Sequence, residues 1–236
     1  MTLFRQLLCA WTALYLCARL PYAEELYCRP VLREGLLPAL GVPPPPLPLV
    51  YLLFALALGA LIPTALGRRG GWAVFFPAYL AIFVLDPMMP RGYGTLSVIQ
   101  WGLLGLPPAA ALTLLRLQWS SVYLFTVVAK LAAGGWWDGS ALFVALRNDR
   151  FGDFLLSSGG VSRWTAFALS WCTLALEVFV PIGAWWPRTR TAAVVACLAM
   201  HLGMMLSMRI SPLFHLLMWI HLPLFFSERS PSPSRG

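Results

Sequence analysis

Apolar residues along this chain gather into runs of roughly 18 residues or more, separated by short clusters of arginine, glycine and proline. At about 1.5 Å of rise per helical residue, a run of that length crosses a hydrocarbon core about 30 Å thick. The pattern predicts an all-α fold, a polytopic transmembrane helical bundle of about eight spans. They are expected at residues 3–20, 47–66, 72–85, 95–115, 119–135, 164–186, 191–208 and 212–226.

The polar breaks sharpen these boundaries. Residues 3–20 are expected to be a first spanning helix and not a cleaved leader, because Pro21 stands where a cleavage after Ala23 wants a small residue. Residues 21–47 form a first loop, with Arg19, Arg29 and Arg33 against Glu24, Glu25 and Glu34, closing in Pro43 to Pro46 as a stiff polyproline spacer. GRRGG at 67–71 is a tight basic turn, and the third span ends before Asp86-Pro87. Pro107-Pro108 should kink or split the fourth span, since proline removes a helix hydrogen bond and clashes with the preceding turn. Gly134-Gly135 end the fifth, and Trp136-Trp137 suit the membrane interface. Between 138 and 163 the chain is mixed, with 141–146 helical and FGDFLLSSGG amphipathic, as a short interfacial helix with loops would be. Residues 1–226 are expected to form one transmembrane domain and 227–236 a disordered polar tail. With both ends of the chain in the cytoplasm, Arg68, Arg69, Arg116, Arg188, Arg190, Arg229 and Arg235 lie inside.

Composition agrees: 59% of residues are apolar, 11% are charged and the mean hydropathy is +0.74, outside the range of an ordinary soluble domain. The lipid bilayer is therefore the first partner. The net charge of +8 comes from arginines at helix ends, with no basic run interleaved with aromatics, so no nucleic-acid surface is implied. Cys9, Cys17, Cys28, Cys172 and Cys197 lack CxxC spacing, and the methionines between Met200 and Met208 lack the spacing of a soft-metal site, so no metal is expected.

Against this apolar background, Lys130, the one lysine of the chain, falls within the fifth span, and Glu177 falls within the sixth. A cation near the bilayer centre costs about 2.5 to 3.5 kcal/mol even on a lenient scale, so it is expected to face the bundle interior and mark a functional site. Counted at about 1.5 Å per residue, Lys130 lies roughly 16 Å into its span and Glu177 and His201 roughly 14 Å into theirs, one shared level. Trp119, Tyr123, Thr126 and Lys130 form a stripe by steps of four, three and four, and Ser170, Thr173 and Glu177 form another. The hydroxyls either satisfy the lysine or line a wet pocket. The plainer alternative is a Lys130–Glu177 ion pair that only fixes helix register. His215 and His221 are expected to be packing or interface residues.

The stretch SSVYLFTVVAKLAAGGWWDGSALFVAL resembles the membrane domain shared by vitamin K-dependent gamma-carboxylase and the HTTM (horizontally transferred transmembrane) family. There an aromatic helix ends in a lysine, followed by Trp, an acid and Gly. The resemblance continues in LEVFVPIGAWWPRTRTAAVVACLAMHLGMMLSMRISPLF and more faintly in ARLPYAEELYCRPVLREGLLP. It implies the fold above and a bacterial inner membrane. It also implies that Lys130 is the base that deprotonates a reduced, vitamin K-like quinone. A buried amine suits that task, because away from water a neutral general base is accessible near neutral pH.

Two functions remain open at this point. One is a quinol-dependent oxidoreductase or carboxylase-like enzyme, with Lys130, Glu177 and His201 as catalytic groups and Tyr123, Thr126 and Trp137 as cofactor-binding ones. The other is a non-enzymatic transporter, or a partner subunit of a membrane redox or peptide-modifying system. Transporters often carry internal repeats with paired broken helices, and no repeat relates the two halves of this chain, which favours the enzyme.

Overall fold

The computed structural model describes residues 1–28, 41–85, 93–148 and 161–227. Their regular elements are helices: α1 (Thr2–Arg19), α2 (Leu47–Ala65), α3 (Arg69–Leu85), α4 (Tyr93–Leu104), α5 (Pro108–Ala132), α6 (Ser140–Arg147), α7 (Arg163–Gly183), α8 (Arg190–Ser207), α9 (Pro212–Trp219) and α10 (Leu222–Phe226). Four of them, α2, α5, α7 and α8, are long and apolar enough to cross a membrane. Apolar helices of 10–17 residues lie at Arg69–Leu85, Gly94–Leu104 and Pro212–Phe226. Phe125 is 74% exposed and Ile62 71%, a surface that would drive aggregation in water and is ordinary against lipid.

Two compact units divide the chain, Met1–Leu114 and Leu115–Gly236. In the first, α2 and α3 form a close antiparallel pair, with α1 against α2 and α4 against α3. The α2–α3 approach depends on Gly71, where a Cβ would sit 2.6 Å from the Thr64 amide nitrogen. Aromatic side chains fill the interior: Phe75 lies 4.4 Å from Trp101 and 5.3 Å from Tyr79, ring centre to ring centre. Three of the polar tips on these aromatic rings are bonded to neighbours. Trp101 Nε1 donates to Thr12 Oγ1 at 3.1 Å, Trp72 Nε1 to the Trp101 carbonyl at 3.2 Å, and Tyr79 Oη shares a 2.7 Å bond with Ser97 Oγ.

In the second unit α7 and α8 pair, α6 packs on α7 and α9 on α8. Ser162 caps α7 by accepting the Thr165 amide at 3.0 Å, which satisfies one of the orphan donors of its first turn. Gly139 precedes α6 at φ 75°, and a Cβ there would come within 2.5 Å of Phe167 Cα, so a side chain would be excluded both by the backbone and by α7. The core joins Trp119 and Tyr123 of α5, Val180 of α7, Cys197 and Met200 of α8 and Met218 of α9.

The partition of the middle of the chain corrects the sequence reading. Pro107-Pro108 do split the expected 95–115 span, but the segment from Pro108 onward is one continuous 25-residue helix, and residues 116–118 are helical and not a connection. Arg116 is thus inside α5 and not in a turn. Lys130, expected near mid-span, lies in the last turn of α5 because the helix ends at Ala132, ahead of Gly134-Gly135. The first loop also differs, since a 3₁₀ turn at Leu20–Tyr22 and a π turn at Glu24–Cys28 prolong α1. The last expected span breaks into α9 and α10, because Pro223 has no amide to donate to the Trp219 carbonyl. Pro46, with φ −69° and ψ 143°, has the polyproline geometry expected before α2. Arg29, Arg33, Glu34, Asp86-Pro87, the stretch FGDFLLSSGG and residues 228–236 lie outside the described residues.

Candidate functional site

The second unit brings two polar groupings together. In one, Lys130 Nζ at the end of α5 donates to Glu177 Oε1 on α7. The lysine side chain is 20% exposed and the glutamate 6%, so the pair is largely withdrawn from solvent. A cation is well placed at Lys130: it lies in the last turn of α5, where the helix dipole favours positive charge, and Nζ sits 4.7 Å from the centre of the Trp136 ring. Glu177 Oε2 is buried and has no hydrogen-bond partner. Pro181, one turn on in α7, cannot donate to the Glu177 carbonyl, so the glutamate's backbone also lacks its helical amide.

The other grouping is a chain of side chains. Tyr123 Oη on α5 bonds His201 Nε2 on α8 at 2.7 Å and lies 3.2 Å from Cys197 Sγ. His201 Nδ1 bonds His215 Nδ1 on α9 at 2.8 Å, and His215 Nε2 is buried without a partner. Two proton arrangements fit. Either Tyr123 donates to His201 and His201 to His215, or both bonds run the other way with Tyr123 donating to Cys197. Glu177 and Tyr123, and likewise Lys130 and His201, are near enough to interact through charge. Among the described residues, no group of three or more His, Cys, Asp or Glu could hold a metal ion.

The expected site residues divide between these groupings and their own helices. Lys130 and Glu177 meet, and Tyr123 meets His201. Thr126 lies beside Glu177 and gives its proton to the Tyr123 carbonyl at 2.7 Å. Thr173 likewise bonds the Leu169 carbonyl at 2.8 Å. These hydroxyl protons serve their own helices and leave the lysine to the carboxylate. Trp137 donates to the Leu131 carbonyl at 3.0 Å, stacks edge-on with Trp171 at 5.3 Å and borders an apolar groove of about 710 Å³. Val127 and Leu131, on either side of Lys130 in sequence, line that groove together with Leu174 and Val178, which flank Glu177 in the same way.

His215 is the residue that sequence reasoning missed. Expected to be a packing or interface residue, it is fully buried and its bond to His201 joins it to the polar chain, and the one available signal was that His215, Met218 and Leu222 share a helical face. Arg116 was missed as well. From within α5 its Nε donates to the Leu224 carbonyl at 2.9 Å and its Nη2 to the Ser227 carbonyl at 3.1 Å, which caps the C-terminal end of α10.

A bundle of long apolar helices that buries an ion pair and a tyrosine–histidine chain defines an integral membrane protein with a polar site in its second unit. The family model described as HTTM domain matches residues 107–229, and the chain belongs to that family. The match takes in Lys130, Glu177, His201 and His215. No curated protein and no solved structure matches the chain.

Proposed function

We propose that this HTTM protein is a membrane-embedded enzyme that removes a proton from the hydroxyl of an apolar substrate of the reduced-quinone class, with Lys130 and Glu177 as the acting pair. The observation that carries this reading is the pair itself: opposite charges on α5 and α7, largely withdrawn from water, with one carboxylate oxygen unengaged. A fixed protein group that left Glu177 Oε2 buried and unpaired would cost about 1 to 3 kcal/mol, more for a charge, so the atom fits a ligand donor better than a structural bond. The substrate supplies an acidic hydroxyl. Glu177 Oε2 accepts its proton, and the Lys130 ammonium stabilises the negative charge left on the hydroxyl oxygen. The groove between the residues flanking this pair suits an apolar tail. Tyr123, His201 and His215 form a relay in which each group accepts one proton and passes on another.

The family resemblance assigns the base role to Lys130 itself, and one substitution separates the two readings. Lys130→Arg keeps a cation but cannot supply an uncharged nitrogen base. Oxygen uptake by membranes supplied with reduced quinone reports the step, since the deprotonated form is the more readily oxidised. If Glu177 is the acceptor, Lys130→Arg retains most of the uptake and Glu177→Gln abolishes it. If Lys130 is the base, Lys130→Arg abolishes it at unchanged protein level. Equal uptake in the parent, both variants and Lys130→Met would overturn the enzyme reading and leave the pair as a pin between two helices.

A further inference from the structure

The first unit holds a cleft of about 790 Å³ that is lined by Arg5, Arg68 and Arg69 and, among the described residues, by no acidic one. It lies where α1, α3 and α5 begin and where α2 and α4 end. Arg68 and Arg69 are exposed, and Arg5, half-buried, lies against the turn at Gly67 with Nε 3.4 Å from the Ala65 carbonyl. Three guanidinium groups around one cleft repel one another unless an anion joins them. The opposite wall is apolar, with Leu104, Leu106 and Pro107, and Trp72 presents its ring because its Nε1 is engaged by the Trp101 carbonyl. Unpaired amides of the first turns of α3 and α5 face the same end of the unit and add to the positive field.

We propose that this cleft holds the phosphate headgroup of an anionic membrane lipid, clamped by Arg5, Arg68 and Arg69, with the glycerol and first acyl carbons against Trp72 and Leu106. A guanidinium matches phosphate oxygens with two parallel N–H donors, which gives position as well as attraction. A soluble phosphate would use the arginines but not the apolar wall. The location at the end of α2, a helix long enough to span, places the cleft at headgroup depth, where basic pockets between helices select anionic lipids.

The test is native mass spectrometry of the full chain in neutral detergent, titrated with phosphatidylglycerol, phosphatidylcholine or inorganic phosphate. The expected result is one tightly retained phosphatidylglycerol, weaker binding of phosphatidylcholine, whose choline cation meets the same arginines, and no displacement by millimolar phosphate. Each of Arg5→Gln, Arg68→Gln and Arg69→Gln should weaken phosphatidylglycerol roughly fivefold, and lysine at the same positions should weaken it less. Arg68→Gln/Arg69→Gln changes exposed residues only, so it remains informative if Arg5→Gln fails to fold. Unchanged affinity in that double variant, equal retention of the two lipids, or full displacement by inorganic phosphate would overturn the proposal.

Discussion

The two units bury polar groups in different ways. In the first, polar tips are settled in local bonds: Trp101 with Thr12, Tyr79 with Ser97, Trp72 with a carbonyl. Gln100 Oε1 is the exception among its described residues. In the second, Glu177, Tyr123, His201 and His215 are buried and Lys130 half-buried in connected groupings that still leave Glu177 Oε2 and His215 Nε2 unpartnered. Isolated, satisfied bonds hold helices together in lipid, where no hydrophobic force acts between them. Connected and incompletely satisfied ones carry an energetic cost that packing alone does not explain, and that cost concentrates where chemistry is proposed.

The largest test of this contrast removes one charge of the pair. Lys130→Met should destabilise the protein by roughly 3 to 5 kcal/mol by leaving Glu177 buried and unpaired, whereas Lys130→Met/Glu177→Gln should cost less than the two single changes together. Thermal unfolding in detergent of the four members of the cycle measures the coupling, and strict additivity would mean that the bond contributes nothing.

Next in size is Tyr123→Phe, which keeps the ring in the core but removes the hydroxyl between His201 and Cys197. A loss of about 1 to 3 kcal/mol is expected from the orphaned imidazole nitrogen, accompanied by loss of quinol-supported oxygen uptake if the relay is used. Thr12→Val is its counterpart in the first unit. It leaves Trp101 Nε1 unpaired in a buried site and should cost about 1 to 2 kcal/mol in the same unfolding assay, with uptake per folded molecule unchanged. A drop in uptake for Thr12→Val equal to that for Tyr123→Phe would erase the distinction between the units.

The smallest effect concerns Asp138, outside the membrane in the turn before α6. Its Oδ1 accepts the Ser140 amide at 2.9 Å, and that bond holds its carboxyl below the usual carboxylate range. A depressed folded value means that the contribution is complete above the unfolded value of about 3.9 and fades as pH falls through the lower folded one. Asp138 is fully exposed, so the expected readout is a shifted titration of its carboxyl in a carbon-detected NMR experiment, abolished in Ser140→Pro, which lacks the amide. A midpoint at the ordinary carboxylate value would remove the bond from the account.

Much of the architecture was legible in the chain, because run length against bilayer thickness is a one-dimensional comparison. α2, α7 and α8 fall within a few residues of their expected limits, and the polyproline entry to α2 and the short helix α6 followed from proline and glycine chemistry. The stripe through Trp119, Tyr123, Thr126 and Lys130 was likewise readable, since helical spacing alone puts those side chains on one face.

Where the apolar pattern was continuous, sequence could not place the breaks. Residues 116–118 look like a polar connection, yet Arg116 stays helical because its guanidinium finds the carbonyls of Leu224 and Ser227, acceptors more than a hundred positions away in the chain. The same helix carries Lys130 in its last turn, because α5 stops at Ala132. The sequence by itself determined that this is a helical membrane protein with a lysine, a glutamate and histidines inside apolar runs. Only the tertiary structure decided that Lys130 bonds Glu177, that the hydroxyls serve their own helices, and that His215 completes a chain from Tyr123. Helix periodicity fixes which face a residue occupies, but the partner across that face comes from packing between segments distant in sequence.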